Sequence, residues 1–176
     1  STDPLTLTGN EKSQTIIGNA GDNVLSSGGG AADTMLGGGG NDTYYVFNPY
    51  DRVNESLGAG NDHVFTTVTY ALTAGQEIEM LSAANLASTA PLYLFGNAFS
   101  QTIIGNAGQN RLSSGEGTPD ILIGGLGHDT YYVYNIGDQT IEDLSGGFDK
   151  VFSAANYRLT AGQSIELLGA ISAVAT

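Results

Sequence analysis

At 176 residues the chain has room for one or two ordinary domains, and its 40% apolar content suffices for a packed interior. Eighteen acidic residues against five Lys and Arg give a net charge of -13, which argues against nucleic acid and anionic membrane surfaces as partners and for cations. With no cysteine there is no disulfide to hold the fold, and no run of about 18 apolar residues is present to span a membrane.

Twenty-six glycines and a strong negative charge would also suit a disordered chain. The apolar residues argue otherwise, because Ile16, Leu25, Met35, Tyr44, Val64 and Leu81 recur at regular intervals. Folding conditional on a ligand is therefore expected. The first ten residues, STDPLTLTGN, lack a basic region followed by an apolar stretch, as expected of a fragment or of a chain exported without an N-terminal address.

Four blocks follow in the first half: GNEKSQTII (9–17), GNAGDNVLS (18–26), SGGGAADTML (27–36) and GGGGNDTYY (37–45). Each opens with glycine or serine, polar residues and an amide or carboxylate, and closes on a short segment rich in β formers. That pattern reads as a turn followed by a very short strand. Ile16, Leu25, Met35 and Tyr44 occupy the same slot in the four blocks, pointing to one narrow core. Two blocks then make one coil, so that residues about 18 apart stack and successive coils pair as parallel strands about 4.8 Å apart.

Sliding the sequence by 87 residues aligns 1–89 with 88–176 without a gap, with about 50 identities. QTIIGNAG at 14–21 returns at 101–108, and LTAGQEIEML at 72–81 returns as LTAGQSIELL at 159–168. Ile103, Leu112, Leu122 and Tyr131 take the core slots of the second copy. Two tandem units are expected, 1–87 and 88–176, forming one continuous all-β solenoid.

The Asp positions follow the stacking. Asp33 and Asp51, Asp42 and Asp62, Asp120 and Asp138, and Asp129 and Asp149 are each separated by one coil and would meet on one edge of the stack. Carboxylates about 5 Å apart repel by roughly 1–3 kcal/mol, and a dication between them reverses the sign. Calcium suits such turns, because it accepts six to eight oxygens in flexible geometry and glycine-rich turns offer carbonyls beside the carboxylates. Zinc would require His or Cys, and His63 and His128 are not equivalent between the units. The eight Asp are thus candidate calcium ligands, together with the backbone carbonyls of Gly28, Gly30, Gly38, Gly40, Gly115, Gly117, Gly125 and Gly127. Glu55 and Glu142 are further candidates. So are Asn23 and Asn110, which stand where an Asp is expected, while the preceding blocks carry Gln14 and Gln101. Amides bring no charge, which leaves these early turns empty, weakly loaded or held by side-chain amide ladders.

GGGGNDTYYV at 37–46 and GGLGHDTYYV at 124–133 fit the nonapeptide G-G-x-G-x-D-x-U-x, with U a large apolar residue. They run on into D-x-V-x-E at 51–55, with the second copy matching at Asp138 and Glu142, then G-x-D-x-V at 60–64 and 147–151, and L-T-x-x-x-x-I-E-x-L at 72–81 and 159–168. Here the chain resembles the RTX family of bacterial proteins over nearly its whole length. The resemblance implies a right-handed parallel β-roll with calcium in the turns. It also implies type I secretion, followed by folding outside the cell or at its surface, where calcium is abundant. Parents that carry such repeats include toxins, proteases, lipases, polysaccharide epimerases and adhesins, so the repeat leaves the parent's activity open.

One of each tyrosine pair, Tyr44–Tyr45 and Tyr131–Tyr132, is expected in the core and the other on the sheet, since neighbours in a strand point opposite ways. Glu79 and Glu166, between apolar neighbours, read as outward-facing strand residues. The sequence holds no H-E-x-x-H, no G-x-S-x-G, no cysteine nucleophile and no G-x-x-x-x-G-K, so an enzyme is not expected. A structural calcium module is the leading expectation. The alternative is an adhesin or glycan-binding segment, which would need a line of exposed aromatic or basic residues along one sheet.

Overall fold

The computed structural model describes residues 1–142, 144 and 146–171; positions 172–176 of the second predicted unit lie outside them. Seventeen short strands follow one another with no helix among the described residues, so no helix is long and apolar enough to cross a membrane. In the first unit they are β1 (Thr6–Thr8), β2 (Thr15–Ile17), β3 (Val24–Ser26), β4 (Thr34–Leu36), β5 (Thr43–Val46), β6 (Arg52–Asn54), β7 (His63–Thr66), β8 (Tyr70–Ala71) and β9 (Met80–Ala83). The second unit adds β10 (Leu92–Phe95), β11 (Thr102–Ile104), β12 (Asn110–Ser113), β13 (Ile121–Ile123), β14 (Thr130–Val133), β15 (Gln139–Ile141), β16 (Lys150–Ser153) and β17 (Leu167–Ala170).

Strands pair in parallel with the next but one, except that β16 pairs with β17, which makes a solenoid of about nine turns. The odd-numbered strands β1 to β15 form one eight-stranded sheet. The opposite side is built from β2, β4 and β6, then β8, β10, β12, β14, β16 and β17. Pairing of β9 with β11, and of β8 with β10, carries both sides across the boundary at residue 87.

The slot identified from the sequence is the core. On the eight-stranded sheet Leu7, Leu25, Tyr44, Val64, Leu81, Ile103 and Leu122 stand in one register, and from Leu25 onward each is fully buried. Facing them, Ile16, Met35 and Val53 stack in the first unit and Leu94, Leu112, Tyr131 and Val151 in the second. Each strand spends its alternate residues outward. Tyr45 and Tyr132 therefore lie on the sheet surface, stacked on Phe65 and Phe152, while Tyr44 and Tyr131 fill the interior.

From β1 to β7 each strand lies nine strands before its copy, and nine is odd. The TYYV strand of the first unit, β5, belongs to the eight-stranded sheet, whereas that of the second, β14, belongs to the opposite side. Equivalent turns therefore sit on opposite edges of the roll.

The turns are tight enough to demand glycine. Gly38 has φ +112°, and a Cβ there would collide with the Asn19 carbonyl oxygen one coil earlier. Gly58 has φ +70° with open space around it. Gly58→Ala should cost only the left-handed penalty, about 1–2 kcal/mol. Gly38→Ala adds a backbone clash and should lower the urea midpoint of the calcium-loaded protein clearly further; equal midpoints would contradict the stacking.

Candidate metal centre

The turns are joined by a ladder of carboxylates. Before β3 the Asn23 N–H donates to Asp42 Oδ1 at 2.6 Å, the Asp42 N–H to Asp62 Oδ1 at 2.8 Å, and the Asp62 N–H to Glu79 Oε2 at 2.6 Å. The second unit repeats this on the other edge, from Asn110 to Asp129 (2.6 Å), Asp129 to Asp149 (2.8 Å) and Asp149 to Glu166 (2.7 Å). A parallel series links Gln14 to Asp33 and Asp33 to Asp51, and Gln101 to Asp120 and Asp120 to Asp138. One oxygen of each Asp thus replaces a backbone acceptor that the turn cannot supply.

The second oxygen has a different fate. Oδ2 of Asp33, Asp42, Asp120, Asp129 and Asp149 is buried without a hydrogen-bond partner. Buried polar atoms are ordinarily satisfied, so five orphans of one type in equivalent places point to a cation. Asp51 and Asp138 differ, since their Oδ2 atoms accept the N–H groups of Phe47 and Asn48, and of Tyr134 and Asn135. These two carboxylates are satisfied by the chain itself.

Three acids converge in each unit. Asp42, Glu55 and Asp62 each bring a carboxylate oxygen within 4.8 Å of the others, as do Asp129, Glu142 and Asp149, and all six residues are buried. The Tyr44 hydroxyl donates to Glu55 Oε1, and the Tyr131 hydroxyl donates to Glu142 Oε1. Gly37 and Gly124 floor the two sites. A Cβ on Gly37 would strike Asp42 Oδ2, the Tyr44 hydroxyl and Glu55 Oε1, and one on Gly124 would strike the matching atoms of Asp129, Tyr131 and Glu142. An all-oxygen cradle of buried carboxylates, closed to even a methyl group, fits calcium.

The electrostatics agree. Burial pushes Glu55 up to about 7, Asp62 to about 6, Asp120 to about 7 and Asp129 to about 6, and raises Asp149 as well. Burial and the neighbouring Glu hold the Tyr44 and Tyr131 phenols far above their ordinary range, so both remain hydrogen-bond donors. Without a cation these sites resist being fully charged at neutral pH.

The amide positions resolve differently from the Asp positions. Asn23 Nδ2 donates to the carbonyls of Asn19, Gly21 and Gly37 and to Asp42 Oδ1. Asn110 Nδ2 does the same with Asn106, Gly108, Gly124 and Asp129. Both amides thus donate to the turn carbonyls around them, the arrangement of a side-chain amide ladder.

All eight predicted carbonyl-bearing glycines have positive φ, but the Gly30 carbonyl accepts from Asn48 Nδ2 and that of Gly117 from Asn135 Nδ2. Sequence reasoning missed the Tyr44 and Tyr131 hydroxyls. It also missed Glu79 and Glu166, which precede β9 and β17 and cap the ladders; their place one coil after Asp62 and Asp149 was the available signal.

The RTX calcium-binding nonapeptide repeat matches the chain in four copies, over residues 8–44 and 95–131. The chain thus carries RTX calcium-binding repeats, units that are structural rather than catalytic. No curated protein and no solved structure matches it.

Carboxyl groups raised by the fold bind protons that the unfolded chain does not, so the stability they contribute is present at low pH and is lost as pH rises toward about 7. Calcium-free protein should gain far-UV β signal on going from about pH 7.5 to about pH 5, while calcium affinity falls over the same interval because protons compete. A calcium-free signal that weakens at the lower pH would contradict this. Asn23→Asp exchanges the amide donor for a carboxylate and should raise the calcium stoichiometry by one per chain, whereas Asp42→Asn should weaken binding by about tenfold or more; titration calorimetry reads both.

Proposed function

We propose that the chain is a calcium-dependent β-roll module that folds on binding calcium after type I secretion and stiffens a protein working outside the cell or at its surface. Asp42, Glu55 and Asp62 hold one ion, and Asp129, Glu142 and Asp149 hold another. Asp33 and Asp120 serve further ions with the carbonyls of their own glycine turns. The observation that carries this reading is the pair of three-acid clusters recurring in both units. Buried carboxylates repel one another in the empty turn and are neutralised by a dication, so binding energy becomes folding energy.

Secretion fits the same physics, since a chain kept unfolded by its own acids where calcium is scarce stays threadable. A glycan-binding role for the sheet face is the second reading, favoured by the outward row of Tyr93, Arg111 and Lys150 on β10, β12 and β16.

Far-UV circular dichroism in EGTA should show little β structure, and added calcium should restore it in a cooperative transition. A chain equally folded at both extremes would overturn the proposal.

A further inference from the structure

The outward row on the second unit opens into a groove of about 510 Å³, within the range of small-ligand sites. Tyr93, Arg111, Thr130 and Lys150 stand side by side in strand register, and Gln109, His128 and Phe148 reach in from the preceding turns. The Arg111 guanidinium lies over the Tyr93 ring, 5.0 Å from its centroid, and the Lys150 ammonium lies 5.5 Å from that of Phe148. In a chain with 18 acids, neither cation forms an ion pair among the described residues, where the pair Lys12–Glu11 is the single salt bridge.

The first unit supplies an internal control. At the same registers it carries Thr6, Val24 and His63 in place of Tyr93, Arg111 and Lys150. Its turns have Asp22, Asn41 and Asn61 where the second unit has Gln109, His128 and Phe148. The roll therefore needs none of these side chains in order to fold. Between the copies one acid is lost, and two cations and two aromatic rings are gained, all on one groove.

We propose that this groove binds an acidic oligosaccharide, with carboxylates paired to Arg111 and Lys150 and sugar rings against Tyr93 and Phe148. The inference deepens the second reading above and rests on the calcium-loaded roll being the folded form. Two cations with no carboxylate partner among the described residues select an anion, and a net charge of -13 disfavours a long polyanion. The ligand lies on a sheet face whose strands are already paired on both sides, so no backbone edge is offered to a peptide strand. What the face offers instead suits sugar hydroxyls: the Gln109 amide, the Thr130 hydroxyl and His128. The Phe148 N–H donates to His128 Nδ1 at 2.7 Å, which leaves Nε2–H as that ring's donor. Arg111 and Lys150 are two strands apart, about 10 Å, a span that one disaccharide covers.

The test is calorimetry on the full chain in saturating calcium with tetragalacturonate, cellotetraose and a pentaglutamate peptide. Tetragalacturonate should bind, cellotetraose should not, and the double variant Arg111→Val/Lys150→His, which installs the first unit's residues, should lose about tenfold or more in affinity. In the unaltered chain, bound tetragalacturonate should protect Lys150 but not Lys12 from acetylation, read by peptide mass, a result that does not depend on how the variant folds. Pentaglutamate or cellotetraose binding equally well, an unchanged variant, or unprotected Lys150 would overturn the assignment. A chain without a calcium-induced dichroism signal fails the calcium reading, whereas a chain with the signal but no binding fails the groove alone.

Discussion

Everything in this roll depends on how a turn too short for its own hydrogen bonds is satisfied. One carboxylate oxygen of each stacked Asp accepts the N–H of the equivalent residue a coil earlier, at 2.5–2.9 Å throughout. That bond fixes the coil spacing at the turn as the strand ladder fixes it in the sheet. Its consequence is electrostatic, because in Asp33, Asp42, Asp120, Asp129 and Asp149 the remaining oxygen is buried with no hydrogen-bond partner to meet it. Geometry that completes the backbone thus creates a need for a cation, and the two cannot be separated by mutation of the Asp alone.

Much of this was legible in the residues. The core was, because an apolar residue returns at each block and a solenoid has no other interior: Leu25, Met35 and Tyr44 are fully buried, and so are their copies. The stacking of Asp42 on Asp62 was legible from spacing. What spacing does not convey is the fate of the second oxygen. Asp51 and Asp42 look alike in sequence, yet the chain after β5 folds back so that Phe47 and Asn48 present N–H groups to Asp51. Nor does it reveal Tyr44, whose ring is read as core while its hydroxyl crosses the interior to Glu55. The half-turn between units was implicit in a repeat of 87 residues, which is not a whole number of coils of about 19, but only the strand count makes it plain.

Asn23 and Asn110 show a second solution to the same problem. Their amides donate to the turn carbonyls, where the acid-rich turns carry a carboxylate instead. Each unit thus begins on Gln14 and Asn23, or Gln101 and Asn110, in self-sufficient turns, and proceeds to acid-rich ones. In each unit the amide-bearing turns therefore precede the acid-rich ones along the chain.

The half-turn between equivalent strands of the two units bears on what a longer array would look like. If units of this length were strung together, each would present its corresponding face half a revolution from the last, as leaves alternate on a stem. A surface feature borne by every unit would then emerge on both flanks of the rod, while one borne by alternate units, as the basic groove is here, would emerge on a single flank. Divergence between neighbouring copies is thereby converted into sidedness: the rod acquires a front and a back without any change to its core.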